Sequence, residues 1–332
     1  MSTVRPAQRG LLFLGCLLAF VRWEPAPYDL FLIIIFLLYA RGLTWKSYQL
    51  VFVVLLGPLL FTHVPALGAA LEVAPERTLY YSLVTLYLAL SSVFFMSLPE
   101  RSVPLLLLGY EVGALLSGLL GVLAFLRIPG LEDLLWGGSR AVAFFKDPNV
   151  FGAFLIPALF LALARLEQGR KFWILPALIL FLGVLVSLSR GAWANFAVAL
   201  LAWWLLRPRK RIWLPLVLLT LAGGVGISVV VMPDNPIVQR LGFMPYDKER
   251  FFTQMEALSL ALTQPLGYGP GLSEIHLSYA THNTYVRFLA EVGWLVLLFW
   301  FLIVGTSLIC SLYQSLKQQS FRHEVYFVSL LG

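Results

Sequence analysis

The chain has 332 residues, 60% of them apolar, with a mean hydropathy of +0.84. Soluble domains are roughly 45–50% apolar, so a soluble globule is excluded, and the chain divides by membrane spans of about 20 residues each. A net charge of +7 and a pI near 9.5 would point a soluble protein toward nucleic acid. In a membrane protein Lys and Arg gather in cytoplasmic loops, and with no nucleic-acid motif in the chain no such partner is expected.

Apolar runs predict spans at 11–22, 28–40, 48–66, 78–98, 103–126, 148–165, 172–188, 191–206, 212–232 and 284–313. An eleventh begins at Val325, and residues 325–332 are too few to cross, so the chain is expected to be C-terminally incomplete. The predicted fold class is all-α: a single polytopic bundle over 1–332, with about ten spans and the start of another. The first run follows Arg5 and Arg9, as a signal peptide would. It lacks a small-residue cleavage site before Pro25, so a short first span is expected instead. Cys16 and Cys310 lie in apolar runs and carry no redox signal.

Basic residues favour a cytoplasmic N-terminus, most sharply in the short loops 165–171 and 207–211. On that orientation the longest loop, 233–283, lies outside. It is too long for a plain connection. Phe251, Met255, Leu258 and Leu262 recur at helical spacing behind Asp247, predicting an amphipathic helix on the membrane surface or on the bundle. Pro265 ends it, and Gly267-Tyr268-Gly269-Pro270-Gly271 makes a tight turn.

Polar residues near the outer boundary are few. Ser187-Leu188-Ser189-Arg190-Gly191 turns between two spans. An arginine at membrane depth costs roughly 2.5–3.5 kcal/mol on insertion scales, so Arg190 either snorkels or binds an anion. Arg250 either pairs with Asp247 or Glu249 or serves the same end. His282, beside Asn283, suits a helix cap or a general base with its pKa near neutrality. His276 lies six residues away, off its face, and no Cys or carboxylate cluster joins them, so no metal site is expected. Arg287 and Glu291, four apart, are expected to pair. Glu111, inside a span, must face an arginine or a neighbouring helix. Asp147-Pro148-Asn149 reads first as a helix start. No P-loop, nucleophile elbow or glycosidase-like carboxylate pair is present, so no cofactor is expected.

Taken in order, these patches resemble the O-antigen ligase and O-antigen polymerase-like family of bacterial membrane glycosyltransferases. The resemblance rests on Phe145-Lys146-Asp147-Pro148-Asn149-Val150-Phe151-Gly152, on Ser187-Leu188-Ser189-Arg190-Gly191, and on Arg250 before Ala257-Leu258. It continues through Pro265-Leu266-Gly267-Tyr268-Gly269 and His282-Asn283-Thr284-Tyr285 to Leu289-Ala290-Glu291-Val292-Gly293. It covers about residues 100–310. The resemblance implies a metal-independent glycosyltransferase in the bacterial inner membrane, its active site facing outward. The donor it implies is an undecaprenyl-pyrophosphate-linked oligosaccharide and the acceptor a glycan or lipid hydroxyl. It further implies Arg190 and Arg250 on the pyrophosphate and His282 as the base, with Asn283, Tyr285, Gly267, Gly269, Asp147 and Asn149 binding substrate. Tyr268 and Phe252 are further candidates to stack on sugars. Polymerase and ligase share this chemistry and are not separated by the sequence. A membrane transporter using Glu111 and Glu291 as coupling residues is the competing expectation.

Overall fold

The computed structural model describes residues 6–39, 47–61, 63–206, 240, 242, 244–277 and 283–318. Its helices are α1 (Pro6–Leu17), α2 (Pro27–Tyr39), α3 (Ser47–Phe61), α4 (Val64–Val73), α5 (Pro75–Met96) and α6 (Val103–Phe125). They continue as α7 (Pro148–Glu167), α8 (Ile174–Val186), α9 (Arg190–Leu205), α10 (Pro245–Thr263), α11 (Ser273–His276) and α12 (Thr284–Gln318). A two-residue hairpin, β1 (Leu135–Trp136) with β2 (Arg140–Ala141), is antiparallel in the α6–α7 loop. The all-α expectation holds.

Among the described residues, five segments are long and apolar enough to cross a membrane: Phe52–Val73, Pro75–Met96, Glu100–Phe125, Pro148–Glu167 and Thr284–Lys317. The chain is a multi-pass membrane protein; the described residues do not confirm the expected count of about ten spans. α1, with 12 residues, and α9, with 16, rise roughly 18 and 24 Å at 1.5 Å per residue, short of a hydrocarbon core of about 30 Å. α2 and α8 are likewise short. The predicted spans at 212–232 and after Val325 lie outside the described residues. The span expected at 48–66 runs on to Val73 instead, because Pro65 falls in the first turn of α4, where a missing N–H costs nothing.

The chain divides into two compact units. The first comprises residues 1–41, 99–242 and 308–332, the second 42–98 and 243–307. In the first unit α6 is the central strut. A Cβ on Gly109 would fall 1.9 Å from the Leu12 carbonyl oxygen, and one on Gly113 would fall 2.6 Å from that of Cys16. This small-xxx-small face lets α1 and α6 meet backbone to backbone, the packing that lipid-embedded helices use where no hydrophobic drive separates protein from tails. Phe145, Phe151, Leu155 and Phe160 fill the core between α6, α7, α8 and α9.

Glu111 on α6 is 5% exposed and accepts from Arg165 Nη1 of α7 at 2.6 Å, while the Arg165 guanidinium lies 4.1 Å from the Trp173 ring centroid. Removing one member of a buried pair strands the other charge, at a cost of about 3–5 kcal/mol. Arg165→Leu is therefore expected to lower the thermal midpoint in detergent sharply, and Glu111→Leu/Arg165→Leu to recover most of the loss. Melting of Arg165→Leu at the wild-type temperature would show that the pair contributes nothing.

Candidate functional site

In the first unit, the turn between α8 and α9 is built from its serines. Ser187 Oγ donates to the Val184 carbonyl at 2.7 Å and accepts the Ser189 N–H at 3.3 Å. Ser189 Oγ accepts the Ala192 N–H at 3.2 Å, which caps α9. Leu188 between them takes φ = 49°, a conformation a leucine adopts only under tertiary constraint, and all three residues are buried. Arg190 is thereby fixed as the first residue of α9. Its Nη1 donates to the Gly242 carbonyl at 3.2 Å.

Two arginines that sequence reasoning did not single out reach the same turn. Arg140 donates through Nε to the Ser187 carbonyl at 3.1 Å and through Nη2 to Asn149 Oδ1 at 3.1 Å. Arg240 donates through Nε to the Leu188 carbonyl at 3.2 Å. Asp147 caps α7, accepting the Asn149 N–H at 2.6 Å, with Pro148 in the first turn, as expected. Gly152 packs against Ser187 so closely that a Cβ would sit 2.6 Å from its hydroxyl. The N-termini of α7 and α9 therefore lie at one end, with three guanidiniums around them. Helix N-termini and arginines both favour anions. The one signal that could have found Arg140 and Arg240 is excess positive charge in segments that the expected orientation places outside, against the usual bias.

In the second unit, α10 is the predicted helix, begun two residues earlier at Pro245; Asp247 Oδ2 accepts the Met244 N–H at 2.8 Å. Its apolar stripe is turned outward, with Phe251, Met255, Leu258 and Leu262 between 39% and 69% exposed. The face that packs is small: Thr253, Ala257 and Ala261 are buried, and Ala257 meets Leu277 and Ala290. Arg250 stacks on Tyr246, 4.7 Å from the ring centroid, and its Nε is buried without a hydrogen-bond partner among the described residues.

α12 is not one straight helix. Gly293 has φ = 82° and ψ = −176°. Tyr285 stacks on Phe301 with ring centroids 5.4 Å apart, and Phe288 meets Trp300 at 5.6 Å. Sixteen residues of straight helix would separate the first pair by roughly 24 Å, so the arm 284–292 folds back on the arm that follows Gly293. The span expected at 284–313 is corrected accordingly: hydropathy joins the two arms, geometry separates them, and the crossing arm begins after Gly293. It still measures roughly 37 Å at 1.5 Å per residue, enough to cross.

The turn 265–271 caps this reversal. The Tyr268 N–H donates to the Ala290 carbonyl at 2.9 Å, the Gly269 N–H to that of Glu291 at 2.7 Å, and the Trp294 N–H to that of Pro265 at 3.2 Å. Carbonyls orphaned by the end of the short arm are satisfied by the turn 265–271. Gly267 has φ = 82°, and its Cβ would lie 2.4 Å from the Glu291 carbonyl oxygen. Gly269 meets Ala70 of α4 in the same way. Both glycines proposed from the sequence to bind substrate thus have a packing role here.

Asn283 is the N-cap of α12: Oδ1 accepts from the Tyr285 N–H at 3.0 Å and the Val286 N–H at 3.3 Å. With Thr284, Tyr285 and Trp300 it lines an open groove of about 340 Å³. Arg287 Nε and Glu291 Oε1 pair at 2.9 Å, as expected. Tyr268 contacts His276, with ring centroids 4.4 Å apart, and Phe252 is 68% exposed. His282 lies outside the described residues.

Gly293→Ala places a Cβ 2.2 Å from the Pro265 carbonyl oxygen at a left-handed φ and is expected to abolish a monodisperse folded species on size-exclusion chromatography. Gly305→Ala, with open space around it, is expected to behave as wild type. Equal behaviour of the two variants would contradict the reversal.

Residues 175–301 match the model of the O-antigen ligase family. That segment runs from the start of α8 through the Arg190 turn, α10 and the reversal to Phe301. No curated protein matches the chain significantly. Over residues 175–301 the chain is similar to the O-antigen ligase family.

Proposed function

We propose that the protein transfers or polymerises a glycan at the outer face of the bacterial inner membrane. The donor is an undecaprenyl-pyrophosphate-linked oligosaccharide and the acceptor a sugar or lipid hydroxyl. The observation that carries this reading is the arginine-rich turn at Arg190, inside the family-matched segment. A lipid pyrophosphate is a dianionic leaving group. As the anomeric C–O bond breaks, negative charge grows on its bridging oxygen, and preorganised guanidiniums offset that charge without rearranging.

Arg190 and Arg250 are assigned to the pyrophosphate, with Arg140 holding the turn from which Arg190 projects. His282 takes the proton of the acceptor hydroxyl as that oxygen attacks the anomeric carbon. Asn283 and Tyr285 follow it in sequence and line the groove at the mouth of the reversed helix. Asp147 and Asn149 shape the α7 start beside Arg140. No nucleotide and no metal enters this scheme, because the bond energy travels with the donor. The transport alternative draws no support from the carboxylates it would use. Glu111 is bonded to Arg165, and Glu291 to Arg287 and Ser273.

Proteoliposomes loaded with the host's lipid-linked oligosaccharides test the reading. Wild type is expected to transfer. Arg190→Ala and Arg250→Ala are each expected to lose about 10²–10³-fold in rate, and His282→Ala about 10²–10⁴-fold, with all three still folded. Equal rates in the four proteins would overturn the residue assignment, and no transfer by wild type would overturn the reaction.

A further inference from the structure

The hairpin of the first unit presents a large aromatic ring that the proposed chemistry does not use. Trp136, at the end of β1, is 56% exposed. Its carbonyl accepts the Ser139 N–H at 3.2 Å, and Gly137 and Gly138 between them take φ = 55° and 67°. Both central residues of this tight turn are left-handed, a conformation that glycine adopts without strain. A Cβ built on either glycine would meet nothing within 4 Å, so the space at the hairpin tip is open.

The hairpin itself is firmly held. Ala141, Val142 and Ala143 are buried. The Leu134 carbonyl accepts the N–H groups of Val142 at 3.0 Å and Ala143 at 3.2 Å, and Arg22 Nη1 donates to the Asp133 carbonyl at 2.7 Å. Strand pairing sets Trp136 opposite Arg140. Opposed residues of an antiparallel pair share one face, with Cβ atoms about 4.5–5.5 Å apart. From that face Arg140 reaches the Ser187 carbonyl and Asn149 Oδ1. The indole therefore stands on the side of the hairpin turned to the Arg190 turn, beside a guanidinium bonded to that turn. Glu132, Asp133 and Ser139, close to it in sequence, are exposed, so hydrogen-bonding groups lie near the ring along the chain.

A pyranose has the complementary chemistry: an apolar face of C–H bonds and a rim of hydroxyls. An indole offers it a wide, rigid apolar surface at low entropic cost. Resting on the proposed function, we infer that Trp136 is a donor-sugar subsite, its ring stacking on a sugar of the glycan close to the pyrophosphate that the Arg190 turn holds. The contact is made alike in ground state and transition state, so it sets donor affinity and leaves turnover nearly unchanged.

The test measures glycan transfer in proteoliposomes carrying the host's lipid-linked oligosaccharides, for wild type, Trp136→Tyr, Trp136→Leu and Arg190→Ala, with undecaprenyl pyrophosphate as a sugar-free competitor. Trp136→Leu, which keeps an apolar side chain but no ring, is expected to raise the donor KM about 3–10-fold with kcat within about twofold. Trp136→Tyr is expected to stay within about twofold of wild type in both. Inhibition by undecaprenyl pyrophosphate is expected to be unchanged in Trp136→Leu, because the competitor has no sugar to stack. A wild-type donor KM in Trp136→Leu overturns the inference and is the result for a ring that only anchors in lipid. So does an equal loss in Trp136→Tyr, or an equal weakening of the sugar-free competitor. Full activity in Arg190→Ala, or no transfer by wild type, overturns the underlying reading. Loss in Arg190→Ala beside a wild-type KM in Trp136→Leu overturns only the sugar subsite.

Discussion

The second unit is organised by one constraint: a helix that reverses in an apolar setting exposes carbonyls that no water can satisfy. The end of the arm 284–292 has that problem, and the N–H groups of Tyr268 and Gly269 answer it. The turn that supplies them must lie against the helix backbone, which only glycine permits at positions 267 and 293. The position of the turn 265–271, the seating of α11 and the opening of the groove beside Asn283 all follow from that contact. A turn that caps a membrane helix in this way is part of the unit's packed interior.

The first unit solves a related problem at the α8–α9 turn. The α8–α9 turn is buried, so its polar groups are paired within the chain, and a leucine accepts a left-handed φ to make the turn close. Three arginines bond to backbone carbonyls in or beside this turn. Each is held through some of its N–H groups, in a place where two helix N-termini already favour an anion. A guanidinium anchored in this way is preorganised, and that property is what stabilises charge developing on a leaving group. The glycosyltransferase reading draws on this geometry, together with the family match over residues 175–301.

Much of this was readable in the sequence because it is local. The helical spacing of Phe251, Met255, Leu258 and Leu262 marked α10, the Asp147-Pro148 pair marked the start of α7, and the four-residue spacing of Arg287 and Glu291 marked their pair. The ordered motifs of residues 145–293 marked the family. What stayed hidden is non-local or dihedral. Hydropathy sums an apolar run but carries no torsion angle, so the reversal at Gly293 read as one span. The same blindness left the stripe on α10 unassigned between membrane and bundle, whereas its buried face proved to be the small residues Ala257 and Ala261. Arg140 and Arg240 meet the Arg190 turn across 47 and 52 residues of sequence, a contact no spacing rule encodes. The apolar runs at 11–22 and 191–206 marked helices, which the structure describes over 12 and 16 residues.

The most direct test of this account is the distance between residues 285 and 301. With Cys16 and Cys310 replaced by serine, Tyr285→Cys/Phe301→Cys in native membranes is predicted to form an intramolecular disulfide under mild oxidation, because the two side chains face each other across the reversal. A straight helix would hold them roughly 24 Å apart. Failure to cross-link, with reaction only toward long-span reagents, would contradict the reversal and with it the frame that carries Asn283 and Tyr285.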